Sequence, residues 1–376
     1  VGFHAWRQAD TMTIAKNFYE NGFNILLPQV DWGGNTPGYV ETEFPIYQYI
    51  LSLLFVFSGV SEFSARLTSI FFSLLSIFVF YKAAAKIAGE RTALWTAFFA
   101  SILPLTVFMG RAIMPESLLM LSIVCGIYFF LDWLDKERFS AFLLSFLFVA
   151  LACLIKPPTL YLGLPLGWLA WLKYRGRLLF QWKLWAFGAA VFLALFLWYY
   201  HAHQIYLQSG LTFGIWEYQT DKWGKWHLLA SPGYWLTIFG NYIGLLTLAV
   251  VGVPLFLLGL FLKRQALRQY FFDFWLAALL IYFLVVNQGN LWHFYYQLPF
   301  AFPAAYFIGR LFGEPFQTAD KARFSALAAA LGFFISASVL VYGDILMARE
   351  DPARSTNYEL AALIRSSTAP GDLIVV

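Results

Sequence analysis

The chain has 376 residues, 60% of them hydrophobic and only 12% charged, with a mean hydropathy of +0.65. Soluble domains carry about a quarter charged residues, so this composition excludes a cytosolic enzyme, a disordered chain and a DNA-binding module. The net charge of +4 is too small for a nucleic-acid footprint, and the 20% aromatic content suits a membrane protein with Trp and Tyr at its interfaces.

The chain opens on Val1 and the polar text VGFHAWRQADT and closes inside PGDLIVV, which reads as a sequence cut at both ends. Residues 1–45 form the first polar segment, and it is the densest in chemistry. Asp10 precedes Thr11 and the amphipathic run Ile14, Ala15 and Phe18, which places it at or near a helix N-cap. Backbone N–H groups and the helix dipole favour an ionised carboxylate there, so Asp10 is a candidate general base, with a plain N-cap as the simpler reading. His4, Arg7 and Gln8 crowd the same residues, and an Arg fork pairs bidentately with phosphate. Glu41 and Glu43 flank Thr42; in an extended segment both would share one face, suited to sugar hydroxyls or a cation.

The apolar stretch 46–60 follows Pro45 and is read as a juxtamembrane or re-entrant helix, with a spanning helix as the rival. Ten stretches then meet the length rule for spans: 66–88, 91–109, 117–134, 139–155, 157–172, 184–201, 234–262, 270–287, 297–312 and 325–342. Between them lie three polar motifs. GRAIMPES carries Arg111 and places Glu116 in the first turn of a helix after Pro115. LIKPPTLY carries Lys156, a snorkelling cation or a phosphate contact. NQGNLWHFYYQLP brackets His293 with rings that include Tyr295 and Tyr296. His201, His203 and His227 are read as structural, and Cys125 and Cys153, both in apolar runs, as neither disulfide nor metal ligands. GLPLG at 163–167 is a small-xxx-small pattern, read as helix packing. After residue 343 the text turns polar, and an amphipathic helix followed by the strand LIVV reads as the start of a small α/β module, 344–376.

With 46–60 left out of the span count, fifteen of the 25 basic residues fall on one side, many in tight loops such as KYRGR and KRQALR. The positive-inside rule makes that side cytoplasmic. Segment 1–45, loop 202–233, the motifs around Glu116, Lys156 and His293, and the tail then face the extracytoplasmic side of an inner or plasma membrane. The spans are almost free of acids, which weakens an ion-coupled transporter.

Asp10 with TIAKNF, GFNILLP, ETEFP, GRAIMPES and HFYYQLP resembles the GT-C membrane glycosyltransferases, above all the bacterial relatives of protein O-mannosyltransferases and of the lipid A aminoarabinose transferase. The resemblance implies an all-α polytopic fold, with 1–45 as the catalytic first loop and 46–343 as the transmembrane domain. It implies an inverting transfer of sugar from a polyprenyl-phosphate-linked donor to a protein or glycolipid acceptor outside the membrane. By position, Asp10 matches the catalytic Asp of the first loop, Glu116 the acidic residue of the second, and Glu43 a position that presents charge to the donor or a metal. Thr11 stands where many relatives carry Glu. His4, Arg7, Glu41, Arg111, Lys156, His293, Tyr295 and Tyr296 complete the candidate substrate site, with Arg7, Arg111 and Lys156 for the phosphate. No cofactor is implied with certainty, and a divalent metal at Glu43 and Glu116 stays open. The rivals are a polymerase or ligase of lipid-linked glycans and a transporter or flippase.

Overall fold

A computed structural model of the chain describes residues 5–214, 222–313, 321–347, 363, 364 and 366–369. Its helices are α1 (Ala5–Asn21), α2 (Ile46–Ser58), α3 (Glu62–Ala88), α4 (Glu90–Ile102), α5 (Pro104–Gly110), α6 (Glu116–Lys136), α7 (Phe139–Ile155) and α8 (Gly163–Tyr174). They continue with α9 (Trp182–Ser209), α10 (Trp226–Leu229), α11 (Pro232–Trp235), α12 (Gly252–Phe261), α13 (Tyr270–Val285), α14 (Asn287–Trp292), α15 (Leu298–Gly313) and α16 (Lys321–Leu340). Extended pairing among the described residues is confined to two isolated bridges, Gln29 with Tyr39 and Glu41 with Thr212.

This is a multi-pass membrane protein, with fewer uninterrupted spans than the ten expected. Five helical stretches are long and apolar enough to cross a bilayer, and seven if each of two bent pairs counts as one span. The reasons are local. Leu103 precedes Pro104, which disfavours helical backbone before it; Leu103 is extended, and α4 and α5 meet at 65°. The 234–262 stretch bends by 104° where Ala249 and Val250 take left-handed φ of 51° and 61°, a strained conformation for a β-branched side chain. Pro157 and Pro158 end α7 at Lys156, so the expected span 157–172 becomes a six-residue 3-10 segment followed by the 12-residue α8. At 13 residues α2 is about 20 Å long, short of the hydrocarbon thickness. The expected module boundary at 344 falls inside the helical turn Val341–Met347, and the strand LIVV lies outside the described residues, as does His4.

Burial sorts the helices. The apolar windows of α3 and α9 are only 28% buried and lie on the outside of the bundle, whereas that of α6 is 89% buried and forms the central post. The stretch 297–312, expected as a span, is the wholly buried 16-residue α15. Gly309 and Gly313 let α15 lie directly on α4: a Cβ on Gly309 would stand 2.7 Å from Thr96 N, and one on Gly313 2.7 Å from Thr92 Cα.

Charges gather at the two ends of this bundle. At one end Asp132 takes Lys86 at 3.1 Å and Lys136 at 2.8 Å, Lys173 meets Glu137 at 2.8 Å, and Arg268 pairs with Asp135. Arg310, fully buried in α15, donates to the carbonyls of Gly259, Leu262 and Lys263 that end α12. At 1.5 Å per residue α6 puts roughly 30 Å between Lys136, in this network, and Glu116 at its other end.

Candidate functional site

At the Glu116 end, α1 is fixed from two sides. Ile14 and Phe18 share a small core with Val30, Val40, Tyr49, Leu211 and Phe213, and Gln8 Oε1 accepts the Ile113 N–H at 3.1 Å. The loop after α1 closes on itself: Val30 N–H donates to Gly38 O at 2.8 Å and Val40 N–H to Pro28 O at 3.0 Å. Gly38 has φ 72°, and a Cβ there would stand 2.1 Å from Val30 O, so this turn requires glycine.

That loop delivers Trp32, whose indole N–H donates to Asp10 Oδ1 at 3.2 Å. Asp10 is buried inside α1, more than a turn past Ala5, and not at the expected N-cap. Its charge is therefore not stabilised by a helix end. Burial pushes the carboxyl pKa above its ordinary value, and the positive charge of Arg7 and the Trp32 N–H offset this only in part. Oδ2 has no hydrogen-bond partner among the described residues.

One turn back, Arg7 reaches Glu43 Oε2 at 2.5 Å and lies 5.2 Å over the Phe213 ring. Burial works against its charge, but Glu43, Tyr295, Glu116 and Tyr296 outweigh that and hold the guanidinium charged. Glu41 does not share this face. It is fully buried, accepts the Thr212 hydroxyl and stands 3.4 Å from His203 Nδ1, so the two glutamates part to different partners. The bridge between Glu41 and Thr212 brings loop 211–214 against segment 41–45 and overrides the simple alternation of an extended chain.

Glu116 begins α6 as expected, and Lys156, the residue after α7, meets it at 2.6 Å. Both are buried, with 2% and 8% of their surface exposed. Lys156 Nζ also lies 4.4 Å over the Tyr295 ring and 4.3 Å over Tyr296, close enough for cation–π attraction. His293 stands beside the same rings, with centroids 5.3 and 5.1 Å away. Arg111 closes α5 with its guanidinium 5.8 Å over Phe108, and its carbonyl accepts from Arg66. The structure thus gathers Arg7, Glu43, Glu116, Lys156, Tyr295 and Tyr296, with Asp10 joined through Arg7.

Lys222 belongs to the same group and was not singled out from the sequence. Its backbone is pinned by Gly289 N–H at 3.2 Å, and neighbouring Gly224 N–H donates to Val285 O at 2.9 Å. Its pKa is lowered, chiefly by burial; Glu43 pulls the other way, and the charges of Arg7 and Lys156 add smaller depressions. Three cations therefore converge on two carboxylates, and Lys222 has no ion-pair partner among the described residues. The signal was one of two lysines in an aromatic-rich loop, DKWGKWH, which resembles an interfacial belt.

Glu43 and Glu116 each face a cation, and no group of three or more His, Cys, Asp or Glu side chains that could hold a metal ion occurs among the described residues.

Behind Lys156 an apolar groove of about 540 Å³ runs between α6, α7, α8 and α9. Cys153, Gly163, Gly167, Trp185 and Gly188 line it. Thr159, itself buried, lines both this groove and the small cavity around Lys156, Glu116 and Tyr296, so the two lie on either side of it. A Cβ on Gly163, Gly167 or Gly188 would meet nothing within 4 Å. GLPLG is therefore not the helix-packing pattern it was expected to be. The pattern that packs is GRLFG at 309–313.

The fold is similar to that of GT-C membrane glycosyltransferases of known structure. Residues 41–201 match the family model of the dolichyl-phosphate-mannose-protein mannosyltransferases. The structure is similar to ArnT from Cupriavidus metallidurans in the apo state, with a TM-score of 0.64 and 18% identity over 90% of this chain. The chain spans 61% of the length of that protein. ArnT bound to undecaprenyl phosphate matches with a TM-score of 0.57 and 15% identity, covering 98% of this chain and 69% of that one. An Archaeoglobus fulgidus oligosaccharyltransferase tethered to an acceptor peptide matches with a TM-score of 0.60 and 14% identity, covering 97% and 53%. Comparison with curated protein sequences gives no match.

Proposed function

We propose that this chain is an inverting glycosyltransferase that moves a sugar from a polyprenyl-phosphate-linked donor to a hydroxyl of a protein or glycolipid, with its site on the extracytoplasmic face. One observation carries this reading: a buried carboxylate, Asp10, next to a cluster of three cations that is separated from an apolar groove only by Thr159. An anionic head on an apolar tail has the same layout. The ArnT structure bound to undecaprenyl phosphate supports the ligand class through its similar fold.

In this reading the lipid phosphate sits among Arg7, Lys156 and Lys222, and its chain lies along Gly163 and Gly167. Asp10 takes the proton of the acceptor hydroxyl as that oxygen attacks the anomeric carbon, and the carbon–phosphate oxygen bond breaks with its electron pair leaving on the phosphate. Cations fixed beforehand stabilise that developing charge without reorganising. Glu43 and Glu116 hold Arg7 and Lys156 in place. His293, Tyr295 and Tyr296 wall the phosphate side.

The test is the purified protein in proteoliposomes with a labelled polyprenyl-phosphate sugar and a cell-envelope extract as acceptor, counting free lipid phosphate and transferred label. Release and transfer in equal amounts, lost in Asp10→Asn, support the reading. Movement of the donor lipid between leaflets with no phosphate released would overturn it in favour of a flippase.

A further inference from the structure

Trp32 is held in an unusual position for a loop aromatic. Its N–H is spent on Asp10 Oδ1, its ring packs edge-on to Phe213 at 5.8 Å and 86°, and yet 41% of it stays exposed. Phe213 in turn carries Arg7 at 5.2 Å, so one aromatic pair sits against both the carboxylate and the first cation. A carboxylate bound at one oxygen cannot turn freely about its terminal torsion, and here the bound oxygen is Oδ1 while Oδ2 is buried without a partner.

We propose that Trp32 is a positioning residue for the base: its indole N–H fixes Oδ1 so that Oδ2 is the atom that takes the acceptor proton, and the Trp32 loop forms the acceptor-side lip of the site. The proposal rests on the reading of Asp10 as general base. The proton passes from the acceptor hydroxyl to Oδ2, the acceptor oxygen bonds to the anomeric carbon, and the bond from that carbon to the phosphate oxygen breaks, its electron pair leaving with the lipid phosphate. Without the N–H, Oδ1 and Oδ2 become equivalent and the carboxylate can swing toward Arg7.

The charged groups facing Asp10 are few. Arg7 comes from its own helix, with Glu43 behind it on segment 41–45. Loop 211–214 presents the uncharged Phe213, and Asp31, next to Trp32, is turned to Lys16 and Asn17. Removal of the Trp32 N–H therefore acts on the Asp10 carboxyl directly.

Two replacements separate this role from packing. Trp32→Phe removes the donor and part of the ring; 3-benzothienylalanine at position 32 keeps the bicyclic shape and removes only the donor. The protonation of Asp10 is read by pH-difference infrared spectroscopy on the purified protein, with the band assigned by its loss in Asp10→Asn. In both replacements the midpoint should rise by about half to one pH unit, the usual worth of one hydrogen bond to a carboxylate. The acidic limb of kcat/KM for the acceptor should move with it, and the donor KM should not change. An unmoved midpoint in the benzothienylalanine protein, or a rate lowered equally at every pH, overturns the proposal. A midpoint that moves while Asp10→Asn protein still turns over overturns the catalytic reading instead, and with it the role of Oδ2.

Discussion

Glu116 opens α6 and Lys156 follows α7, and the 2.6 Å between them joins two segments 40 residues apart in a site where both charges are almost out of reach of water. Such a pair adds little net stability over two apolar side chains, but it is damaging to break, because the remaining charge stays buried. Glu116→Gln should lower stability by about 3 to 5 kcal/mol, well beyond the loss of a charge at a helix start. Thermal unfolding in detergent reads this as a clear drop in Tm. Glu116→Gln combined with Lys156→Met should recover most of that drop while sugar transfer stays lost, since the phosphate contact is gone. Equal Tm values for Glu116→Gln and the wild type would reduce Glu116 to a helix-start acid.

The groove makes a separate prediction. Gly167→Phe places a ring where a Cβ meets nothing within 4 Å, so the protein should fold normally. A ring there should displace at least two methylenes of a bound chain, which at about 0.8 kcal/mol each raises the donor KM on the order of tenfold. Turnover at saturating donor should hold. A donor with a chain too short to reach α8 should show no difference between the two proteins, and equal loss for long and short donors would argue that the groove holds no tail.

Why GLPLG misled while the opening loop did not is a matter of distance along the chain. A small-xxx-small pattern states that a helix can be approached closely, not that anything approaches; Gly309 and Gly313 meet α4, Gly163 and Gly167 meet a void, and both read alike. The apolar runs, the prolines and the polar motifs were legible because each is local. Asp10, Arg7, Glu43, Glu116 and Lys156 stand out in the sequence as charges in the polar segments between apolar runs. Their pairing was not legible, because Arg7 with Glu43 and Glu116 with Lys156 are tertiary contacts 36 and 40 residues apart. Lys222 was hidden by its aromatic neighbours, and the turn of α1 before Asp10 by its polar composition. The bends at Leu103 and Val250 turned two apolar stretches of spanning length into broken helices.

Asp10 carries a prediction in which stability and activity move apart. Its pKa is raised in the folded protein, so ionisation at neutral pH works against folding, and the folded state is favoured as pH falls through the raised value toward the unfolded 3.8. Asp10→Asn removes that burden. Its Tm should equal or exceed that of the wild type at neutral pH, and the difference should shrink as pH approaches 3.8. Turnover should fall by roughly 100-fold to 10,000-fold, the usual worth of a general base. Thermal melts across pH together with the transfer assay check both; a large Tm loss at neutral pH would mean that Asp10 is mainly structural.

Lys222 offers the sharpest pH test of the anion site, because it sits among like charges. Burial first, then Arg7 and Lys156, depress its pKa below the ordinary 10.5, so the free enzyme should lose this positive charge earlier on the alkaline side than an exposed lysine would. Donor capture, read as kcat/KM for the lipid donor, should then decline in a limb below pH 10.5. Lys222→Arg keeps the charge throughout this range and should abolish that limb, since arginine does not deprotonate there. Lys222→Met should lower kcat/KM for the donor by about tenfold at neutral pH and also lack the limb, with the acceptor KM unchanged. An alkaline limb that persists unaltered in both proteins would assign it to another group and leave Arg7 and Lys156 as the phosphate contacts.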